Sequence, residues 1–351
     1  MTHAEPPTET ILEPDLPIVD PHHHLWDRPA ASFANLPTPV HSFTEVTRRT
    51  PRYLLDQLLA DFGSGHNIRA SVFVQCGSMY RADGPEAFKP VGETEFVNGV
   101  AAMSASGVYG EVRACAGIVG HVDLTRGAVV AEVLEAHIRA GGGRFRGIRH
   151  SAAHDADPDV LGPVARVGAG LYESAAFRQG YRQLGAFGLS FDAWVLEPQL
   201  AEVIALAEAF PGTRVILNHV GTPLGLGRYR GRREERFALW RRSICGLATL
   251  PNVMVKLGGL AMPFCGFASF LASPPAPSSQ LATEWKPYIE TCIEAFGVER
   301  CMFESNFPVD LGSCSYATLW NAFKLLTAGC SAAEKAELYS GTATRAYRLD
   351  L

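Results

Sequence analysis

Three histidines follow one another at the end of a short apolar run, in Ile18-Val19-Asp20-Pro21-His22-His23-His24-Leu25-Trp26-Asp27. The stretch Leu16 to Val19 reads as a buried strand. Side chains on or just past a strand alternate faces, so His22 and His24 point one way and His23 the other. Two imidazoles on one face can bind a divalent metal or anchor a polar active site. An isolated H-x-H also occurs in surface loops, so the rest of the chain has to decide.

The chain has 351 residues, 47% of them hydrophobic, enough for one large core or two modest ones. Its net charge of -5 supplies no basic field for nucleic acid or an anionic membrane. No stretch has the uncharged apolar length of a membrane span. The opening residues lack the basic and apolar regions of a secretory signal, so residues 1–15 are expected to form a flexible tail before a single domain over 16–351. The eight cysteines form no C-x-x-C pair and read as small buried hydrophobes in a reducing cytoplasm.

Elements that could position the histidines alternate along the chain. Strands are expected at Leu16–Val19, Ile68–Gln75, Glu111–Val119, Phe145–Arg149, Leu189–Val195, Thr213–Asn218, Asn252–Leu257 and Arg300–Glu304. Helices are expected between them, at Tyr53–Phe62, Glu93–Ser104, Ala128–Ala140, Ser174–Ala186, Glu197–Phe210, Arg232–Leu247 and Trp285–Phe296, and a helical region Tyr316–Tyr347 closes the chain. Short apolar strands without strict alternation point to a parallel sheet buried on both faces. Eight of them predict an α/β fold, a (β/α)8 TIM barrel with inserted loops at its C-terminal face, in preference to a doubly wound open sheet. The insertions are expected at Arg28–Pro51, Thr222–Arg233 and Met262–Glu284, the last a proline-rich lid.

In such a barrel the catalytic groups lie where strands end. Those ends carry His22 and His24, Gln75, His121, Arg149 and His150, Asp192, Asn218 and His219, Lys256, then Glu304, Ser305 and Asn306. Buried charges are costly unless paired, so packing alone does not account for this set. Each member also has a plainer reading. His23 packs outside the barrel mouth, His154 is structural, and His121 stays open. Lys256 or Arg149 could be a paired structural charge, and Trp26 and Trp194 could be core. Glu304 could lie on the outer layer, because Ser305 and Asn306 mark the strand end. The cluster Arg228, Arg230, Arg232 and Arg233 reads as a solvated helix face.

The motifs D-P-H-H-H-L-W, F-R-G-I-R, L-S-F-D-A-W, I-L-N-H-V-G, N-V-M-V-K-L-G-G and C-M-F-E-S-N-F-P-V-D, from Ile18 to about Leu349, together resemble the amidohydrolase superfamily. More closely they resemble its amidohydrolase-2 branch of metal-dependent hydrolase relatives, which includes sugar lactonases and pyrone dicarboxylate lactonase. The resemblance implies a TIM barrel with an H-x-H on the first strand, a histidine on the sixth and an aspartate ending the eighth. His22, His24 and His219 match. The aspartate does not: where relatives read G-S-D-x-P, this chain reads Glu304-Ser305-Asn306-Phe307-Pro308.

An amide is a poor ligand for a hard or borderline cation. The expectation is therefore a hydrolase with no tightly held metal that opens a lactone of a sugar acid or aromatic catabolite by water attack. Zinc or manganese on His22 and His24 is the alternative. His219 or Asp192 would be the general base. His22, His24 and Lys256 would polarise the carbonyl, and Asn306 would orient water. Arg149, His150, Gln75, Trp26 and Trp194 would contact a polar or carboxylated small molecule. A metal-dependent decarboxylase or hydratase and a non-catalytic ligand-binding barrel remain as alternatives, and homo-oligomerisation is left open.

Overall fold

A computed structural model describes residues 9–351. Eight parallel strands follow one another around a barrel: β1 Pro17–His23, β2 Asn67–Val74, β3 Arg113–Gly120, β4 Phe145–Arg149, β5 Ser190–Ala193, β6 Val215–Leu217, β7 Val253–Leu257 and β8 Cys301–Phe303. The ring closes between β8 and β1 beyond the end of β8. There Asn306 N donates to His22 O at 2.9 Å and His24 N to Phe307 O at 2.8 Å. Asp20 fastens the same seam, its Oδ1 accepting from His22 N and Ser305 N and its Oδ2 from the Tyr316 hydroxyl. Closure therefore happens beside the histidines.

Alternation along the strands divides the core. Val19, Ala70, Val72, Val74, Ile216, Met254 and Met302 face inward and form one cluster with Ala343, Ala346, Tyr347 and Leu349. The final helix, Thr342–Tyr347, thus plugs the end of the barrel away from the histidines. Ile18, Phe73, Ile118, Ile148, Phe191, Leu217, Val255 and Phe303 face outward beneath the helices. Each fully buried side chain of this size contributes roughly 1.5–3 kcal/mol by leaving water.

The expected barrel is present, and its strands start or stop within a few residues of expectation. Larger differences have local causes. Arg28–Pro51 contains a helix, Ser42–Arg49, which hides among polar residues because it buries only Val46 and Thr47. Tyr53 is not helical: Arg52–Tyr53 pairs with Trp26–Asp27 in a small antiparallel ladder. The last helix before β8 begins at Ser278, not Trp285, and takes up the last seven residues of the expected lid. The closing region breaks after Leu326 and carries a π-turn at Glu337–Gly341.

Of the expected tail, residues 1–8 lie outside the described residues. The remainder is tied down, with Leu12 N donating to Asn321 and Lys324 Nζ donating to the carbonyls of Leu12 and Glu13. All eight cysteines are unpaired, and five are buried. On the arginine cluster, Arg228 pairs with Asp155 and Arg232 with Glu235 at the surface. Among the described residues no helix is long and apolar enough to cross a membrane.

Candidate active site

His22 and His24 share the inner face of β1 and its continuation, with ring centroids 4.9 Å apart. His23 points away and is buried under the helix layer, 2.9 Å from Ser71 Oγ. His24 Nδ1 lies 2.8 Å from Val74 O. A carbonyl only accepts, so Nδ1 carries the proton and Nε2 is left with the lone pair. Burial, with neighbouring cations adding to it, holds both His22 and His24 well below the ordinary imidazole value, in the neutral form.

Glu304 corrects the sequence reading. It is fully buried inside the barrel, not on its outer layer. Along β8, Cys301 and Phe303 face outward and Met302 inward. The pleat continues one residue further and turns Glu304 inward as well. Its Oε1 accepts from His219 Nδ1 at 2.6 Å and from His219 N at 3.0 Å. Its Oε2 lies 2.6 Å from His22 Nδ1 without the alignment of a hydrogen bond, and has no other partner among the described residues. Two glycines after β7 leave room for this pair. A Cβ on Gly258 would sit 2.5 Å from Glu304 Cγ, and one on Gly259 would sit 2.4 Å from His219 Nδ1. Gly259 also has a φ of +66°, which side chains rarely adopt.

A second buried pair lies alongside. Lys256 Nζ donates to Asp192 Oδ1 at 2.8 Å and lies 3.2 Å from His22 Nδ1. The same Asp192 oxygen accepts from Asn218 Nδ2 and the Tyr347 hydroxyl, which leaves Oδ2 without a partner among the described residues. Arg149 brings Nη1 within 3.3 Å of His22 Nε2 and donates through Nη2 to Gln75 O. Both cations only donate, and neutral His22 has a single lone pair, so it satisfies one of them.

His22, His219 and Glu304 bring ligand atoms within 4.8 Å of one another. Two neutral imidazoles and a buried carboxylate oxygen lacking a partner fit a divalent metal. The reason for expecting none, that Asn306 replaces the acid, therefore fails. Glu304 supplies the carboxylate two residues earlier. Asn306 instead sits at the seam with φ +55°, its amide donating to Asp310 Oδ1 at 2.7 Å. Burial raises the Asp310 carboxyl well above its usual range.

Above this floor opens a cleft of about 850 Å³. His24, His219, Arg149 and Asn306 reach it, and so do the expected contact residues His150, Gln75, Trp26 and Trp194. His22, Lys256 and Asp192 have no exposed surface and lie beneath the cleft, so they act on its contents through the groups above them. Arg28 over Trp26, His121, Tyr80 and the loop after β4 (Pro163 to Leu171) also line the cleft. Sequence reasoning misses that loop as an insertion, although the stretch between the expected strand Phe145–Arg149 and helix Ser174–Ala186 is long enough to show one.

The family model described as Amidohydrolase matches residues 19–349. An uncharacterised protein of Sinorhizobium fredii, y4mH, is 33% identical over 95% of this chain and 99% of its own length. An L-fucono-1,5-lactonase of Burkholderia multivorans is 31% identical over 67% of this chain and 72% of its own. A crystal structure of an amidohydrolase from Burkholderia multivorans with bound zinc superposes with a TM-score of 0.70 at 25% identity, covering 95% of this chain and 99% of that one. From β1 through the final helix, this chain belongs to the amidohydrolase family.

Proposed function

We propose that the barrel hydrolyses a cyclic ester, the lactone of a sugar acid or aromatic catabolite, by attack of water. The carrying observation is the 2.6 Å contact of His219 Nδ1 with Glu304. The carboxylate accepts, so the proton sits on Nδ1 and the Nε2 lone pair is left as a base for water in the cleft. Asp192 is the poorer base, since three donors already occupy its Oδ1 and it lies beneath the cleft. Arg149 supplies fixed positive charge next to the developing oxyanion, and Lys256 adds to the field from below. Two Burkholderia relatives that carry the name L-fucono-1,5-lactonase support the substrate class.

A divalent cation such as zinc or manganese, held by His22, His219 and Glu304, would polarise the carbonyl and lower the pKa of water. His219 Nε2 has one lone pair, so it takes a proton or binds a metal, not both. Metal dependence therefore reports which duty His219 has. The test is lactone hydrolysis by pH-stat, on wild type, His219→Ala and Glu304→Gln, after chelation and after adding zinc or manganese. Turnover by the chelated enzyme that His219→Ala abolishes supports His219 as base. Turnover only with metal makes it a ligand. No lactone turnover under either condition overturns the reading.

A further inference from the structure

On the far wall of the cleft two histidines stand edge to face, His150 so far only a general substrate contact and His121 without a role. His121 follows β3 and His150 follows β4, and their ring centroids are 5.0 Å apart with the planes at 82°. We propose that His121 and His150 read a hydroxyl on the substrate ring, His121 as acceptor and His150 as donor. This rests on the lactone reading above and specifies what the lactone must carry.

The backbone assigns the two tautomers. His121 Nδ1 lies 3.1 Å from Arg149 O. A carbonyl cannot donate, so Nδ1 bears the proton and Nε2 is an open acceptor. His150 Nδ1 lies 3.3 Å from Leu124 N, a group that cannot accept. Here Nδ1 has the lone pair and Nε2–H is an open donor. Neither Nε2 has a hydrogen-bond partner among the described residues, and both rings line the cleft. His121 is held from behind as well: its carbonyl lies 3.0 Å from His137 Nε2, whose Nδ1 pairs with Thr94 Oγ1 at 2.8 Å. Burial keeps His150 neutral, its pKa pushed down to about 3, and lowers that of His121.

One acceptor beside one donor matches a group that does both. A hydroxyl donates to His121 and accepts from His150. A carboxylate could satisfy His150 only and would face a lone pair on His121. An ammonium could satisfy His121 only. Asp123, also on this wall, already accepts from Thr125 and Arg126, and its negative charge further disfavours a substrate anion here.

Asparagine separates recognition from structure. The amide introduced by His121→Asn could still donate to Arg149 O, and the one introduced by His150→Asn could still accept from Leu124 N, but neither reaches the Nε2 position. The measurement is kcat/KM for six-carbon aldono-1,5-lactones relative to δ-valerolactone, which has no ring hydroxyl. In His121→Asn and His150→Asn that ratio should fall about 10- to 100-fold, with a double variant well short of the product of the two losses. His150→Gln, whose amide reaches the Nε2 position, should recover part of it. An unchanged ratio, including equal losses on both lactones, overturns the proposal. If wild type opens no lactone, the hydrolase reading fails separately, and calorimetry with the corresponding aldonates decides this one. Weaker aldonate binding by the asparagine variants sustains it, and equal or absent binding overturns it.

Discussion

The floor of the cleft and its far wall solve opposite problems with the same residue type. On the floor, His22 and His219 are held by side chains that carry charge, Glu304, Lys256 and Arg149. On the wall, His121 and His150 are held by main-chain groups, and each keeps one nitrogen free. Chemistry is thus placed by buried ion pairs, which are costly to assemble and costly to break. Recognition is placed by the backbone, which orients a neutral ring without adding charge. Damage to the floor should therefore reach both rate and stability, while damage to the wall should reach selectivity.

The largest expected effect tests the floor. His219→Ala should lower kcat by about 10²–10⁴-fold, with the preference for hydroxylated lactones retained. A loss under tenfold would remove His219 from the chemistry. Next, Lys256→Met leaves Asp192 charged and short of a partner, and should cost about 3–5 kcal/mol in urea denaturation. Changing Asp192 to Asn in the same chain should recover much of that, and failure to do so would mean that the pair is not what holds this region. Gly259→Ala pushes a methyl against His219, and a misplacement of that order costs roughly 10²-fold in rate. Its selectivity ratio should stay as in wild type, and a drop would show that floor and wall are not independent.

The prediction for the wall is read in pH, as a slope. His150 has a folded pKa of about 3 against 6.5 for the ordinary group, so the native state binds fewer protons between these values. Stability from this residue is therefore lost as pH falls from 6.5 toward 3, by up to about 1.4 kcal/mol per pH unit. His150→Asn removes that term, and its denaturation free energy should fall less steeply with acid than that of wild type. Parallel slopes would show that the imidazole is not held neutral.

The barrel is legible because its strands are short, apolar and spaced by amphipathic segments, a pattern that local chemistry writes directly into the sequence. His22, His24 and His219 are legible for the same reason, as polar residues ending apolar runs. Glu304 is misread when Ser305-Asn306 marks the strand end; the alternation Cys301 out, Met302 in, Phe303 out places it correctly. The position of Asn306 in a motif does not reveal the hydrogen bonds that hold it beside the cleft, to Asp310 and across the closing seam. The proton positions of His121 and His150 are out of reach, since each depends on a backbone group more than twenty residues away.

In barrels of this kind the end bearing the strand termini does the chemistry and the opposite end supplies stability. Tyr347 crosses that division. Anchored in the helix that plugs the lower end, it passes its hydroxyl to Asp192 Oδ1 at 2.8 Å, the same atom that holds Lys256. A substitution that shifts the plug by a fraction of an ångström would thus alter the field under His22 without touching the cleft. For anyone grafting new loops onto this scaffold, the inert end is part of the reactive one and has to be inherited with it.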